Sequence, residues 1–513
     1  MLPRASLLLV AVGVTVVATA SYNTDYGGTN GRNDRYDRNN PNYPSNNPNY
    51  DRRNPYDPNY NQNNYNQNSG SYNYNRNSYD NRQYNEYNKV YTKNETAIFC
   101  YINATRLDES RRFNSGPSMD IEPRLCTHLI IGAAIINPNS HTVRLLNEEI
   151  LTRQGNGLLS FDNISELKRE NPNLKVLLSI HGSSMDWANM VKSQRDIFIK
   201  SIIDICGSKN VGVNIDWQWP ERKNGHDVDN FFQFLLELKN ELRRLPYASH
   251  ELTVFLPAEY QQLVDILQPR GDNRIENLLM QYVDYWILMA LELRGHWDQR
   301  IEHHAPIDSY IGSRQTVRKA INEVRGYVRG EYLYKFILAI PFYGKRYQLA
   351  ARADRESPMN KLQQTLHTSY DYDGIMRVAY NKVCQEITGR EFQLDYDETN
   401  GSPYAYHDNT VFVYEDTRSV KAKTRLALQN GFGGVMAYSI EMDDATGQCG
   451  QSRRTSYDNK NSYNSYSSNS ELRFPLLNAI KDQVTRGHAA QFHSSPLAII
   501  LAVICVFILK VNN

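Results

Sequence analysis

The chain has 513 residues, enough for one large barrel or several ordinary domains. Its 57 Lys+Arg against 56 Asp+Glu leave a formal net charge of +1, which argues against a polyanionic partner such as nucleic acid. The unusual count is 36 Tyr, and they cluster.

The first stretch, MLPRASLLLVAVGVTVVATA, has a basic residue at Arg4, an apolar run and small residues at Ala18-Thr19-Ala20. Residues 1–20 read as a secretory signal, with the mature chain expected from Ser21, in preference to an uncleaved anchor. Export implies an oxidising compartment and exposes the sequons at Asn94, Asn103, Asn163 and Asn400 to glycosylation. Residues 21–94 consist of Asn, Tyr, Asp, Arg, Pro, Gln and Ser with almost no aliphatic side chains. Such a segment buries too little surface to offset the entropy of ordering it, so a disordered arm is expected. The arm reads either as a solvated spacer or as a source of tyrosines for oxidative cross-linking in a matrix. The similar stretch within 451–470 reads as a polar surface loop.

From about 95 to 487 the texture changes. Short β-rich runs recur at 97–102, 127–134, 174–180, 211–216, 252–257, 285–291, 335–341 and 434–440, with helical patterns between many of them, such as 195–206 and 228–245. Strands apolar on both faces and alternating with helices predict a parallel sheet. Eight such units predict an α/β fold, a (β/α)8 TIM barrel. Residues 346–425 separate the last two runs and contain strand-like pieces of their own, so an inserted α+β subdomain is expected there. The tail, 488–513, contains the apolar run 496–509, about 21 Å long as a helix and short of the roughly 30 Å hydrocarbon core. Small residues, a spacer and that run favour a signal for a glycosylphosphatidylinositol (GPI) anchor and cell-surface attachment, with a short span or a terminal helix as alternatives.

One strand carries candidate chemistry. In VGVNIDWQWP, residues 211–220, a period of two puts Asn214, Asp216 and Gln218 on one face. Gly212 is read as allowing close backbone packing. His181 lacks a second His or Cys at ligand spacing and is expected to be a satisfied pocket residue; His303 and His304 are read as structural. No metal or cofactor is expected.

The chain resembles the family 18 glycoside hydrolases, the chitinase family. Residues 211–220 align with the family motif DGxDxDWEYP. Further matches are Cys126-Thr127-His128, Met289, His304-Ala305-Pro306, Pro341-Phe342-Tyr343-Gly344, Pro403-Tyr404-Ala405, Gly433-Gly434-Val435-Met436, Asp443-Asp444 and Cys449-Gly450. The resemblance implies substrate-assisted hydrolysis. A Glu protonates the leaving oxygen while the substrate's acetamido group, oriented by an Asp, attacks the anomeric carbon. Here the Glu position is Gln218, whose amide has no proton to release near neutral pH. Val211 and Asn214 replace two motif carboxylates, and only Asp216 remains. Asn214, Asp216 and Gln218 are therefore expected to form a degenerate, mutually hydrogen-bonded row without catalysis.

The resemblance also implies a sugar groove. Its candidate residues are Tyr101, Trp217, Met289, Glu292, Trp297, Tyr343 and Tyr438, with Tyr438 in place of the usual floor Trp. Thr105, Ala133, His181-Gly182-Ser183, Leu291-Glu292 and Lys345 depart from the family pattern, so reduced affinity for chitin or other N-acetylglucosamine glycans is expected. A glycan on Asn103, at the C-terminal end of the first strand, either fills this groove or is absent. Two disulfides are implied, Cys100–Cys126 and Cys384–Cys449, with Cys206 a buried free thiol and Cys505 in the tail. The chain most resembles the imaginal disc growth factor and chitinase-like branch, which implies a secreted protein of recognition, matrix organisation or growth signalling, with receptor or matrix partners. Two alternatives stay open. One is a weak or redirected hydrolase using Glu292 or Glu259; the other is a matrix protein acting through its Tyr-rich arm.

Overall fold

The computed structural model describes residues 96–104, 121–146, 148, 151, 159–220, 226–246, 250–267, 280–295, 298, 300–312, 314–349, 358–359, 377–389, 391–447, 449 and 473–494. All lie in one compact unit, Tyr87–Asn513. Residues 1–94, the loop 451–470 and the apolar run 496–509 fall outside the described residues, as do Asn94, Thr105 and Trp297.

Eight parallel strands close on themselves: β1 (Ala97–Asn103), β2 (His128–Asn137), β4 (Lys175–Ser183), β5 (Gly212–Gln218), β6 (Leu252–Pro257), β7 (Tyr285–Met289), β8 (Phe336–Pro341) and β14 (Gly434–Tyr438). β1 pairs with both β14 and β2, which closes the cylinder, and β3 (Thr142–Leu145) adds antiparallel to β2. The (β/α)8 barrel is thus the fold, and each predicted run coincides with one barrel strand.

Strand alternation sorts the side chains into two layers. Ile98, Cys100 and Ile102 point outward into the main core beneath the helices. Ala97, Phe99 and Tyr101 point inward, where they meet Ile130, Leu177, Phe255, Ile287, Met289, Ile337 and Met436. The outer layer is covered by helices α1 (Phe161–Glu170), α2 (Ser184–Ser193), α3 (Arg195–Lys209), α4 (Asp227–Leu242), α5 (Tyr260–Leu267) and α6 (Val317–Tyr327). Gly212 fits its expected role, because a Cβ there would lie 2.6 Å from the Glu251 carbonyl oxygen.

The insertion is a five-stranded antiparallel sheet in the order β10-β9-β13-β12-β11, formed by β9 (Tyr343–Gln348), β10 (Arg377–Ala379), β11 (Gln393–Asp397), β12 (Ser402–His407) and β13 (Thr410–Val413), with helix α7 (Tyr380–Gly389). Its limits differ from the expected 346–425. β9 starts at Tyr343, one residue after β8, and α8 (Thr417–Gln429) is a barrel helix whose Val420, Leu426 and Ala427 enter the main core. The fully buried Lys423 Nζ of α8 reaches both Glu415 carboxylate oxygens at 2.6 Å and Ser402 Oγ at 3.1 Å, tying the insertion to the barrel.

Both implied disulfides are present: Cys100–Cys126, joining β1 to the entry of β2, and Cys384–Cys449, joining α7 to the segment after β14. Cys206 is buried and free, and burial pushes its thiol up to about 12. Helix α9 (Pro475–Ser494) runs through the expected domain limit at 487/488. Asp443 accepts the Leu477 amide at 2.9 Å at its start. Among the described residues, no helix is long and apolar enough to cross a membrane.

Candidate glycan site at the barrel mouth

The C-terminal ends of the barrel strands carry the polar cluster. Asp216 on β5 is 4% exposed, yet both of its oxygens are engaged. The Gln218 amide donates to Oδ1 at 2.9 Å, and the His181 ring on β4 bonds Oδ2 at 2.9 Å through Nδ1. Gln218 and Asp216 therefore pair as expected, but Asn214 does not join the row. Its amide donates to Ser179 Oγ at 2.9 Å, and its carbonyl oxygen accepts from Thr253 Oγ1 at 2.8 Å. The reason is register. Ser179 and Thr253 sit directly beside Asn214 on β4 and β6, at strand spacing, and take up both its amide and its carbonyl oxygen. His181 is a satisfied residue of this cluster.

Around this pair lie aromatic rings. Tyr101 stands opposite Tyr438 in the β1–β14 register, with ring centroids 4.8 Å apart, and Phe255 lies 6.0 Å from Tyr101. Burial, then Tyr438 and Asp216 nearby, push the Tyr101 hydroxyl well above its ordinary range. The ring passes so close to β2 that a Cβ at Gly132 would sit 2.0 Å from its oxygen, so only glycine fits there. Met289 joins the same inner cluster, and Trp219, Leu291 and Tyr438 pack against it, partly exposed.

Trp217 is a correction. It is 1% exposed on the outer face of β5, stacked 5.9 Å from Trp187 and edge-on to Phe231 at 5.2 Å. The alternation that turns Asp216 inward turns Trp217 outward. Tyr343 is likewise buried rather than a groove wall, stacked on His304 at 5.1 Å, with its hydroxyl donating to Glu292 Oε1 at 2.6 Å.

Glu292 is held by three groups: Lys345 at 2.5 Å, Arg377 at 2.9 Å and Tyr343. Burial pushes its carboxyl up, but the Lys345 and Arg377 charges outweigh burial and leave it at about 2. It stays ionised through the neutral range and cannot deliver a proton there. Glu259 is exposed after β6 and accepts the Gln262 amide at 3.0 Å. Both carboxylates of the redirected-hydrolase alternative are thus engaged as ion-pair partner or helix cap. Among the described residues, no group of three or more His, Cys, Asp or Glu could hold a metal ion. His303 and His304 are 2% and 1% exposed at the insertion, and burial lowers both below the usual histidine value.

Sequence reasoning missed Trp219, Phe255, Ser179, Thr253 and Arg377. Phe255 and Thr253 follow from alternation along β6, whereas Arg377 lies in the insertion and had no local signal.

The sequons differ in setting. Asn103 is half-buried at the end of β1. Asn163 is 6% exposed in α1, a position without room for a glycan. The Asn400 amide donates to Asp397 Oδ2 at 2.6 Å in the β11–β12 turn.

A closed parallel barrel with its polar cluster at the strand C-termini is the barrel type that carries enzyme active sites. The family profile for Glycosyl hydrolases family 18 matches residues 97–443, and the chain belongs to that family. A Margaritifera margaritifera protein named as a chitinase is 30% identical over 366 residues, spanning 69% of this chain and 74% of its own. The crystal structure of Ostrinia furnacalis Group IV chitinase superposes with a TM-score of 0.62 at 25% identity, covering 76% of this chain and all of that one. Human YKL-39, described as a pseudo-chitinase with retained chitooligosaccharide binding properties, shares the fold at a TM-score of 0.60 and 23% identity, over 76% of this chain and 100% of that one.

Proposed function

We propose that this family 18 protein is a non-catalytic, chitinase-like glycan-recognition protein of the extracellular space or cell surface, acting in matrix organisation or growth signalling. The observation that carries the reading is Gln218 at the position of the family's proton donor, its amide donating to Asp216. An amide cannot protonate a leaving oxygen, and general acid catalysis is commonly worth about 10²–10⁴ in rate. Two further features support it. Asn214, turned to Ser179 and Thr253, puts no carboxylate beside Asp216, and Glu292, the nearby carboxylate candidate, is fixed as an anion.

Binding is retained in weakened form. Tyr438 and Trp219 stay partly exposed at the mouth over the buried Tyr101 and Met289, while each aromatic face lost from the family pattern removes about 0.5–1.5 kcal/mol of stacking, by analogy with aromatic pairs. Binding without cleavage is compatible with this fold, as described for human YKL-39. Secretion and a GPI anchor rest on the two terminal segments of the sequence. The test is retention of the purified protein on chitin beads together with product analysis of chitotetraose. Retention without cleavage supports the reading, and turnover refutes it.

A further inference from the structure

Asn103 lies on the same inward-facing row of β1 as Ala97, Phe99 and Tyr101, all three of which line the barrel interior. It is the last residue of that row, two residues beyond Tyr101, or about 7 Å further along the strand at the usual β rise. It pairs with Gly132 in register, and its backbone amide donates to Glu441 Oε2 at 3.3 Å beside β14. Strand parity and its half-buried place at the C-terminal end of β1 direct the side chain toward the mouth, beyond Tyr101 and its partner Tyr438. It also begins the sequon Asn103-Ala104-Thr105. An N-linked glycan starts with a pair of β-linked N-acetylglucosamine units, the chemistry that chitin-binding grooves recognise.

We propose that Asn103 carries an N-linked glycan whose N-acetylglucosamine core lies in the barrel's own mouth, against Tyr101 and Tyr438, as a tethered ligand. The proposal rests on the secretory and glycan-binding readings above. It also gives the amide at position 218 a second consequence. A competent acid beside a tethered N-acetylglucosamine pair would threaten the glycan, whereas Gln218 leaves it intact. A tether of this length holds its ligand at an effective concentration on the order of millimolar. Where that concentration exceeds the groove's own dissociation constant about tenfold, occupancy weakens binding of free chito-oligosaccharide about tenfold.

The experiment uses the full chain secreted from insect cells. Glycopeptide mass spectrometry is expected to find Asn103 occupied; an unmodified Asn103 overturns the proposal. Peptide N-glycosidase should release the Asn103 glycan from the native wild type at least tenfold more slowly than from a Tyr438→Ala variant, and equal rates overturn it. Asn103→Gln, and independently Thr105→Ala, should bind chitotetraose about tenfold more tightly than the wild type; Thr105→Ala removes the sequon while keeping Asn103 itself. Protection of the glycan without chitotetraose binding by any form supports the tethered ligand and refutes recognition of external glycans. Free release of the glycan with equal chitotetraose binding by all forms refutes the tether and leaves external recognition standing.

Discussion

Glu292→Gln separates a structural carboxylate from a catalytic one. A carboxyl that titrates at about 2 in the fold, against its ordinary 4.5, contributes about 3 kcal/mol of stability at neutral pH. The substitution also leaves the Lys345 ammonium, 1% exposed, without its counter-charge, and breaking a buried pair in this way costs about 3–5 kcal/mol. For a unit of this size, at about 2 cal/mol/K per residue, 3 kcal/mol lowers Tm by about 4 °C. Because the folded pKa is depressed, the contribution is complete above the unfolded value of 4.5 and is lost as pH falls through about 2. The assay is thermal and urea unfolding of wild type and variant from pH 3 to 8. The gap between them should be constant from pH 6 to 8 and narrow below pH 4.5. Glu292→Gln combined with Lys345→Met should recover part of the loss. A loss below about 1 kcal/mol at pH 7, or a gap that widens as pH falls, would refute the assignment of Glu292 as a locked ion-pair partner.

Three further outcomes are expected. Trp217→Ala should cost about 3–5 kcal/mol in urea unfolding, whereas Tyr438→Ala, at a partly exposed ring, should cost less stability but reduce retention on chitin. Gln218→Glu should not restore chitotetraose cleavage, since Leu291 and His181 still depart from the family site. Instead it places a carboxylate against Asp216, raising the pKa of one of the pair, so its stability should rise as pH is lowered from 8 to 5. Glu415→Gln should destabilise by about 3–5 kcal/mol, because Lys423 is then a buried ammonium without a counter-ion; limited proteolysis should show the insertion opening first.

The barrel was legible because its strands are buried on both faces and read as continuous apolar runs, such as FILAIP in β8. The inward set on β5 was legible from alternation alone. The same alternation excludes Trp217 from the groove; the family motif had placed it there against its own parity. Partner choice was not legible. Asn214 turns to Ser179 and Thr253, 35 and 39 residues away in sequence, because strand pairing sets them alongside. Arg377 reaches Glu292 across 85 residues from a strand of the inserted sheet, and no local pattern announces that contact. The start of the insertion was hidden because β9 follows β8 after Phe342 alone, leaving no turn residues to mark the change of sheet.

The central claim concerns proton delivery at the mouth of β5. Its most direct measurement is the product spectrum of chitotetraose incubated with the purified, fully oxidised protein at pH 4 to 8 and followed by mass spectrometry for days. The account predicts intact tetramer at every pH. Dimer or monomer appearing in proportion to protein concentration, and abolished by Asp216→Ala, would contradict it.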